Sequence, residues 1–501
     1  MLGDKYVYSL INMMRVRRTL GFLAALITMS SLWPAMLYAE QALDAKDLNA
    51  VALDGSNNHI ELVRNTLLQH VTLVALTDDT KDWQAELILL NGQDLKAIEQ
   101  QASQILKRLY DFWQLTESMP SQASLLAQTI AIEPRAKDYL WVTNRIRFLL
   151  WLHSQDPWPT IDYEHVIRPG DQHASLIPIA KRLKQLGDDQ GEGIIVDEVN
   201  PQLTPELVGV LKAFQARHGL SSDGVIGPQT LYWINQTPYQ RARLLAYNFV
   251  MKTQYLRNLE PTYLLVNIPA FELVLVDKGE ATLTSKVIVG RSDRQTPVLS
   301  SLVSNIVVNP AWRVPRSIVR NDLLPKIRKD GSYLAQRNFD VFDFNGNPMN
   351  LDAQMLQAEA NGNFPYSLIQ QPGSSNALGK YKLHFNNGFN VYLHDTPDKH
   401  LFKQSMRALS SGCIRVDKID ELAQWIANEQ MFNSRQWQSL TQRDATKTQW
   451  FSLKNNVPVH LVYWTAWMTG PGLPQFRTDI YDMQSFTNDT RLSDVTAKVS
   501  L

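Results

Sequence analysis

Cys413 is the only cysteine among 501 residues, and it ends the run Ser410-Ser411-Gly412-Cys413. A lone thiol is ordinarily an inert core residue, so its neighbours decide whether it does chemistry. A cysteine nucleophile needs a base to take its proton, a group to orient that base, and donors for the oxyanion formed on attack. Unassisted, a thiol with a pKa near 8.5 is only a few per cent thiolate at neutral pH. Histidine is the usual helper because its pKa lies near the working pH. Gly412 permits backbone shapes closed to other residues, and such a shape can turn successive N–H groups toward one point as an anion nest.

The base must come from ten histidines. Along Phe389 to Asp395 the apolar Val391 and Leu393 face one way, so Tyr392 and His394 face the other. His394 ends that strand before the turn Asp395-Thr396-Pro397, where a side chain can meet a loop. Cys413 follows 19 residues later, far enough for the chain to fold back beside it. His384 on the preceding strand is the rival and shares that face if the hairpin loop has three residues. His400, at a helix start, is less well placed. The alternation therefore favours His394 and leaves His384 open.

The elements that position these residues change character along the chain. Residues 40–190 read as a helical scaffold: Leu95, Ile98, Ala102, Ile105, Leu109 and Trp113 recur at helical spacing, and Ala136 to His153 forms a second helix ended by Asp156-Pro-Trp-Pro159. Residues 191–240 form a small helical unit. Its helix runs from Leu203 to His218, with Thr204 as N-cap, Pro205 in the first turn and Gly219 as the stop. From Tyr263 the period becomes two. Tyr263–Ile268, Phe271–Asp277, Leu283–Val289, Asn305–Val308, Lys380–Phe385, Phe389–Asp395, His460–Met468 and Gln475–Tyr481 read as strands, with a hairpin signal at Asn386-Asn-Gly388. Residues 262–482 are thus a mostly antiparallel β domain. Between 316 and 379 the strand pattern stops, with helices expected over Ser317–Lys329 and Asp352–Ala360. An insertion this long is seldom idle, and a lid over the sheet is the expected role. The fold class is multidomain α+β, and residues 483–501 are a polar tail.

The 49 basic residues balance 49 acidic ones, which gives no support for nucleic-acid binding. No paired His or Cys has metal-ligand spacing, so a zinc peptidase fits poorly and no metal or cofactor is expected. At the N-terminus, Met14-Arg-Val-Arg-Arg18 precedes the uncharged stretch Leu20 to Ala39. Residues 1–39 therefore read as an export signal, with an uncleaved inner-membrane anchor as the alternative. Pro34 and Ser30-Ser31 favour cleavage. Translation starting at Met13 or Met14 would give an n-region of ordinary length. A lone cysteine in an exported chain has no partner for an intramolecular disulfide.

Two resemblances follow from these residues. Phe214-Gln215, Gly219-Leu220, Asp223-Gly224, Gly227 and Thr230 resemble the peptidoglycan-binding type 1 module. His394-Asp395-Thr396 followed by Ser410-Ser411-Gly412-Cys413-Ile414-Arg415 resembles the signature of YkuD-type L,D-transpeptidases, and the whole layout resembles their large periplasmic YcbB-type members. Many relatives carry a histidine where Ser411 stands; that position offers no imidazole here, which leaves His394 as the base. The resemblance implies that Cys413 attacks the third residue of a stem peptide, meso-diaminopimelate, and releases D-alanine. A second diaminopimelate amine then takes the thioester, giving a 3→3 cross-link. It also implies that the Asp395 carbonyl orients the imidazole, and that Gly412 and Cys413 amides hold the oxyanion. Ser411 and Tyr392 would line the substrate groove, and Arg415 would support the loop or meet a substrate carboxylate. The implied partners are peptidoglycan (tetrapeptide donor and diaminopimelate acceptor), cell-wall synthesis proteins and carbapenem inhibitors. A carboxypeptidase or cross-link hydrolase would use the same residues.

Overall fold

The computed structural model describes residues 56–77, 82–115, 123–191, 193, 195–430, 437 and 447–484. Residues 1–39, expected to be an export signal or anchor, lie outside the described residues, as does the expected tail beyond residue 484. No helix among the described residues is long and apolar enough to cross a membrane.

The chain forms two compact units. One comprises the described residues up to Leu67 together with Asp94–Ile132. Its helix Leu95–Trp113 buries Ile98, Ala102, Ile105, Leu109 and Trp113, the stripe expected from the spacing, and Asp94 caps it by accepting from Ala97 N at 3.1 Å.

The second unit, Leu68–Gln93 with Glu133 onward, holds the small helical module and the β domain. In the module, helix Pro205–Arg217 starts at Thr204, whose hydroxyl accepts from Leu207 N. A short helix, Pro228–Asn235, closes it. The module's motif residues meet around one buried amide. Gln215 Nε2 donates to Asp223 Oδ1 (3.0 Å), Val225 O (2.9 Å) and Thr230 Oγ1 (3.2 Å), while Gly224 N donates to Gln215 Oε1 (2.9 Å). A helix from Pro238 to Leu256, begun by a Thr237/Gln240 capping box, leads into the sheet.

The β domain opens with β1 (Tyr263–Asn267), β2 (Glu272–Asp277), β3 (Glu280–Gly290) and β4 (Leu299–Val308). After β5 (Trp312–Arg313) comes an insertion with β6 (Phe339–Phe342), β7 (Pro348–Met349) and β8 (Ser367–Gln370). The domain then continues through β9 (Tyr381–Phe385), β10 (Leu393–His394), β11 (Ala408–Ser410), β12 (Ile414–Val416) and β13 (Gln449–Val462), and ends in the hairpin β14 (Ala466–Trp467) and β15 (Gln475–Phe476). The main sheet runs β11-β3-β12-β10-β9-β4-β13-β1-β2, and β2 pairs back onto β3, so the sheet curls closed. Only β1/β13, β10/β12 and β3/β11 are parallel. Inside lies a core that includes Leu264, Val266, Leu273, Ile306, Leu383, Leu393 and Ile414, packed against the helix Ile419–Gln430.

The late strands expected over His460–Met468 and Gln475–Tyr481 shorten to the end of β13 with β14, and to β15; three further expectations need correction. The strand expected over Phe389–Asp395 is only Leu393–His394. Residues before it form a loop, because the Asn387 side chain takes the backbone groups a partner strand would use: it bonds Phe385 O, Val391 O, Phe389 N and Val391 N at 2.8–3.1 Å. The insertion is not free of strands. Together with β5, just ahead of residue 316, it forms a four-stranded sheet, β5-β8-β6-β7, over a separate core of Val319, Leu323, Ile327, Leu356 and Leu368; two- and four-residue strands are too short to show a period. Third, Ser317–Lys329 is helical but passes through a π turn at Val319–Leu323. Pro325 follows, with no N–H and a ring that would strike the carbonyl one turn back, and the wider turn accommodates both.

Candidate active site

Strand register brings the expected residues to one place. β10 lies between β9 and β12, with His394 opposite both Lys382 and Arg415. Directly paired residues share a face; Tyr392 lies just outside the strand, and its ring meets the His394 ring at 5.5 Å and carries Lys382 Nζ 3.8 Å from its centroid. Ile414 N donates to Tyr392 O at 3.0 Å, which sets Cys413 beside Tyr392. His384, on the same face of β9, meets Trp450 edge-on with ring centroids 5.9 Å apart.

His394 is buried, and its Nδ1 lies 2.5 Å from Asp395 O. Since a carbonyl only accepts, Nδ1 carries the proton and Nε2 keeps its lone pair. Burial, then Arg415, then Lys382 disfavour the imidazolium, with the Asp395 carbonyl acting in the opposite sense, and the pKa falls to about 3. The Asp395 carboxylate is occupied elsewhere: Oδ2 accepts from Lys380 N at 2.8 Å and Oδ1 pairs with Lys399 at 2.7 Å. Gly379 lets this carboxylate approach, because a Cβ there would sit 2.3 Å from Asp395 Oδ2.

Cys413 is half-buried. Its Sγ lies 3.9 Å from Asn390 O, and the Tyr392 side chain hydrogen-bonds to it. Burial pushes the thiol pKa up, against the Tyr392 hydrogen bonds and the cations Lys382 and Arg415. Gly412, at φ +112°, makes the turn that presents the thiol. Ser410 holds this turn from inside: its Oγ donates to Cys413 O at 2.6 Å and accepts from Gly412 N at 3.1 Å. The Gly412 amide expected to hold an oxyanion is therefore already engaged. Cys413 N–H has no such partner among the described residues.

The segment after β3 grips the same turn, and its spacing had not revealed it. Arg291 N donates to Ser410 O (3.0 Å), Thr296 Oγ1 donates to Gly412 O (2.8 Å), and Arg294 Nη1 donates to Ser411 Oγ (2.9 Å). Tyr481 Oη accepts from Thr296 N (3.1 Å) and donates to Gly290 O (2.6 Å). Arg294 also pairs with Asp322 of the insertion's π turn. Lys382 was missed too, although alternation with Tyr381, Leu383 and Phe385 places it on the polar face of β9. Arg415 reaches Asp398 at 3.8 Å, and its Nε is buried without a partner.

Outside this site, Glu164, His165 and His173 place possible ligand atoms within 4.8 Å of one another. Ser175 N donates to His173 Nδ1 at 3.2 Å, which leaves the proton of the neutral ring on Nε2, facing Glu164 Oε2 at 3.4 Å. The His173 Nδ1 lone pair is thus taken by Ser175 N, and its Nε2 N–H is turned to the Glu164 carboxylate.

Residues 261–450 match the family described as L,D-transpeptidase catalytic domain, and residues 172–234 match the "Putative peptidoglycan binding domain". The second match takes in helix Leu176–Leu186 as well as the two module helices. The chain is 35% identical over 249 residues to a "Putative L,D-transpeptidase" of Haemophilus influenzae, and the alignment covers 49% of each protein. The chain thus spans about half the length of this curated relative. It is also similar to the solved L,D-transpeptidase from Mycobacterium smegmatis at 12% identity, over 40% of this chain and 58% of that one, with TM-score 0.20. A solved L,D-transpeptidase from Xylanimonas cellulosilytica is similar at 13% identity, over 60% of this chain and 100% of that one, with TM-score 0.20. Cys413, His394 and their turn all lie inside the span that matches the L,D-transpeptidase catalytic domain, which follows the span that matches the peptidoglycan-binding domain.

Proposed function

We propose that the protein is a cysteine L,D-transpeptidase that cross-links peptidoglycan stem peptides in the periplasm. The observation that carries this reading is the pairing, where β10 meets β12, of a glycine-turned thiol with a buried histidine whose Nδ1 is fixed by Asp395 O. His394 Nε2 takes the thiol proton as Cys413 attacks the carbonyl of the third, diaminopimelate, residue. The proton passes to the departing D-alanine amine, leaving a thioester. The side-chain amine of a second diaminopimelate attacks that thioester, His394 takes the amine proton and returns it to sulfur, and a 3→3 link results. Cys413 N–H is the amide available to the oxyanion, with the Tyr392 hydroxyl beside it; one such donor is worth roughly 3–4 kcal/mol. The same thiol is the atom a carbapenem would acylate.

The test is intact-mass spectrometry with tetrapeptide muropeptides and a carbapenem. Wild type should form cross-linked dimers and a carbapenem adduct, and Cys413→Ala should form neither while remaining folded. An adduct persisting in the variant would remove Cys413 from the chemistry.

A further inference from the structure

Lys382 is a half-buried cation that the mechanism above does not use. It lies directly across from His394, with Arg415 on the other side, so two cations flank the histidine, and both act on Cys413. Among the described residues its ammonium forms no ion pair with a carboxylate; it rests on the Tyr392 ring, 3.8 Å from the centroid. Tyr392 in turn touches the thiol. Asp395 is engaged by Lys380 N and Lys399, and Asp398, more distantly, by Arg415. Arg415 leaves its Nε buried and unpartnered. A desolvated cation is costly without a counter-charge, and here Lys382 has no carboxylate partner among the described residues while Arg415 keeps only a 3.8 Å contact to Asp398. Burial lowers the Lys382 pKa, a cost that a bound anion would offset.

We propose that Lys382, together with Arg415, forms a carboxylate-binding subsite beside Cys413, which takes the carboxylate next to the bond the thiol attacks. The proposal rests on the transpeptidase reading only for which carboxylate is meant: the free carboxylate of the leaving D-alanine, which lies one residue beyond the attacked carbonyl. The ring of Tyr392 spaces the ammonium from the sulfur, so that the lysine meets the substrate's charge instead of pairing permanently with a thiolate.

The test compares alkylation of Cys413 by iodoacetate and by iodoacetamide. Both reagents react with the thiolate, so any effect of Lys382 on the thiol pKa cancels in the ratio of their rates, and recognition of the carboxylate remains. Relative to the same ratio for N-acetylcysteine, wild type should favour iodoacetate by roughly tenfold, the scale of one charge-assisted contact. Lys382→Met should bring the ratio most of the way back to the free-thiol value, and Lys382→Arg should keep it. Should Lys382→Met fail to fold, Lys382→Gln and the salt dependence of the wild-type ratio replace it; screening should shrink the preference as ionic strength rises. A wild-type ratio equal to that of the free thiol, or one unchanged in the folded Met or Gln variant, overturns the subsite. Failure to cross-link muropeptides would instead overturn the transpeptidase reading and leave the alkylation ratio intact.

Discussion

The Cys413–His394 pair rests uncharged. His394, held at a pKa of about 3, is neutral across the physiological range, and the Cys413 thiol is pushed above its ordinary value. Both shifts oppose a thiolate–imidazolium pair in the free protein, so in the proposed reaction proton transfer accompanies attack. Alkylation of Cys413 by iodoacetamide should therefore rise with pH through a single midpoint above the free-cysteine value of about 8.5. A reactive plateau between pH 5 and 7 would reveal a preformed ion pair and sink this reading. The same shift bears on stability. The folded histidine binds its proton less readily than the unfolded one, so on acidification the unfolded chain gains a proton first. Stability from this group is full above about pH 6.5 and declines until pH falls to about 3. Urea unfolding at pH 7.5 and 5 should show a smaller difference in His394→Gln than in wild type.

Elements explain what could be read in advance and what could not. The module was legible because its motif residues build one hydrogen-bonded hub: Gln215, Asp223, Gly224 and Thr230 close the loop between two helices. Gln215→Leu should strip that hub of partners and destabilise the module by about 1–3 kcal/mol. Hydrogen exchange across residues 220–230 should quicken, with Cys413 alkylation unaffected; unchanged exchange would show that packing alone holds the loop. Strand alternation likewise exposed the faces of β9 and β10, and with them His394. The turn motif led to Cys413. The grip of Arg294, Thr296 and Tyr481 on that turn was not legible, because these residues lie up to 191 positions from their partners and follow no period. β10 was overread because an asparagine side chain can replace a strand's partner invisibly, and the insertion's sheet was underread because its strands are so short.

At the scale of the whole second unit, the module and the insertion both lean on the catalytic domain. The module does so through Arg477, which donates to Arg217 O at 3.0 Å, and through His218, stacked on Phe476. With β5 the insertion has its own sheet and core, so it can keep its shape while its seat changes. One side of that seat is Asp322, which pairs with Arg294, the same guanidinium that donates to Ser411 two positions before Cys413. Arg291 adds a weaker contact to Asp322 at 3.7 Å. In the proposed reaction, a cover tied to the Ser410–Cys413 turn in this way would exclude water from the thioester and leave it to an amine. Asp322→Ala removes the tie without touching the insertion's core or the thiol. Acylation by a small β-lactam should stay within about twofold of wild type. With tetrapeptide muropeptides, the product balance should move severalfold from cross-linked dimer toward hydrolysed tripeptide, as read by liquid chromatography and mass spectrometry. Replacing Ser317 to Leu378 by a Gly-Ser linker should move it further in the same direction. If dimer formation survives both changes at full rate, the insertion is no lid; if β-lactam acylation collapses with it, the insertion supports the turn itself and does not act by excluding water.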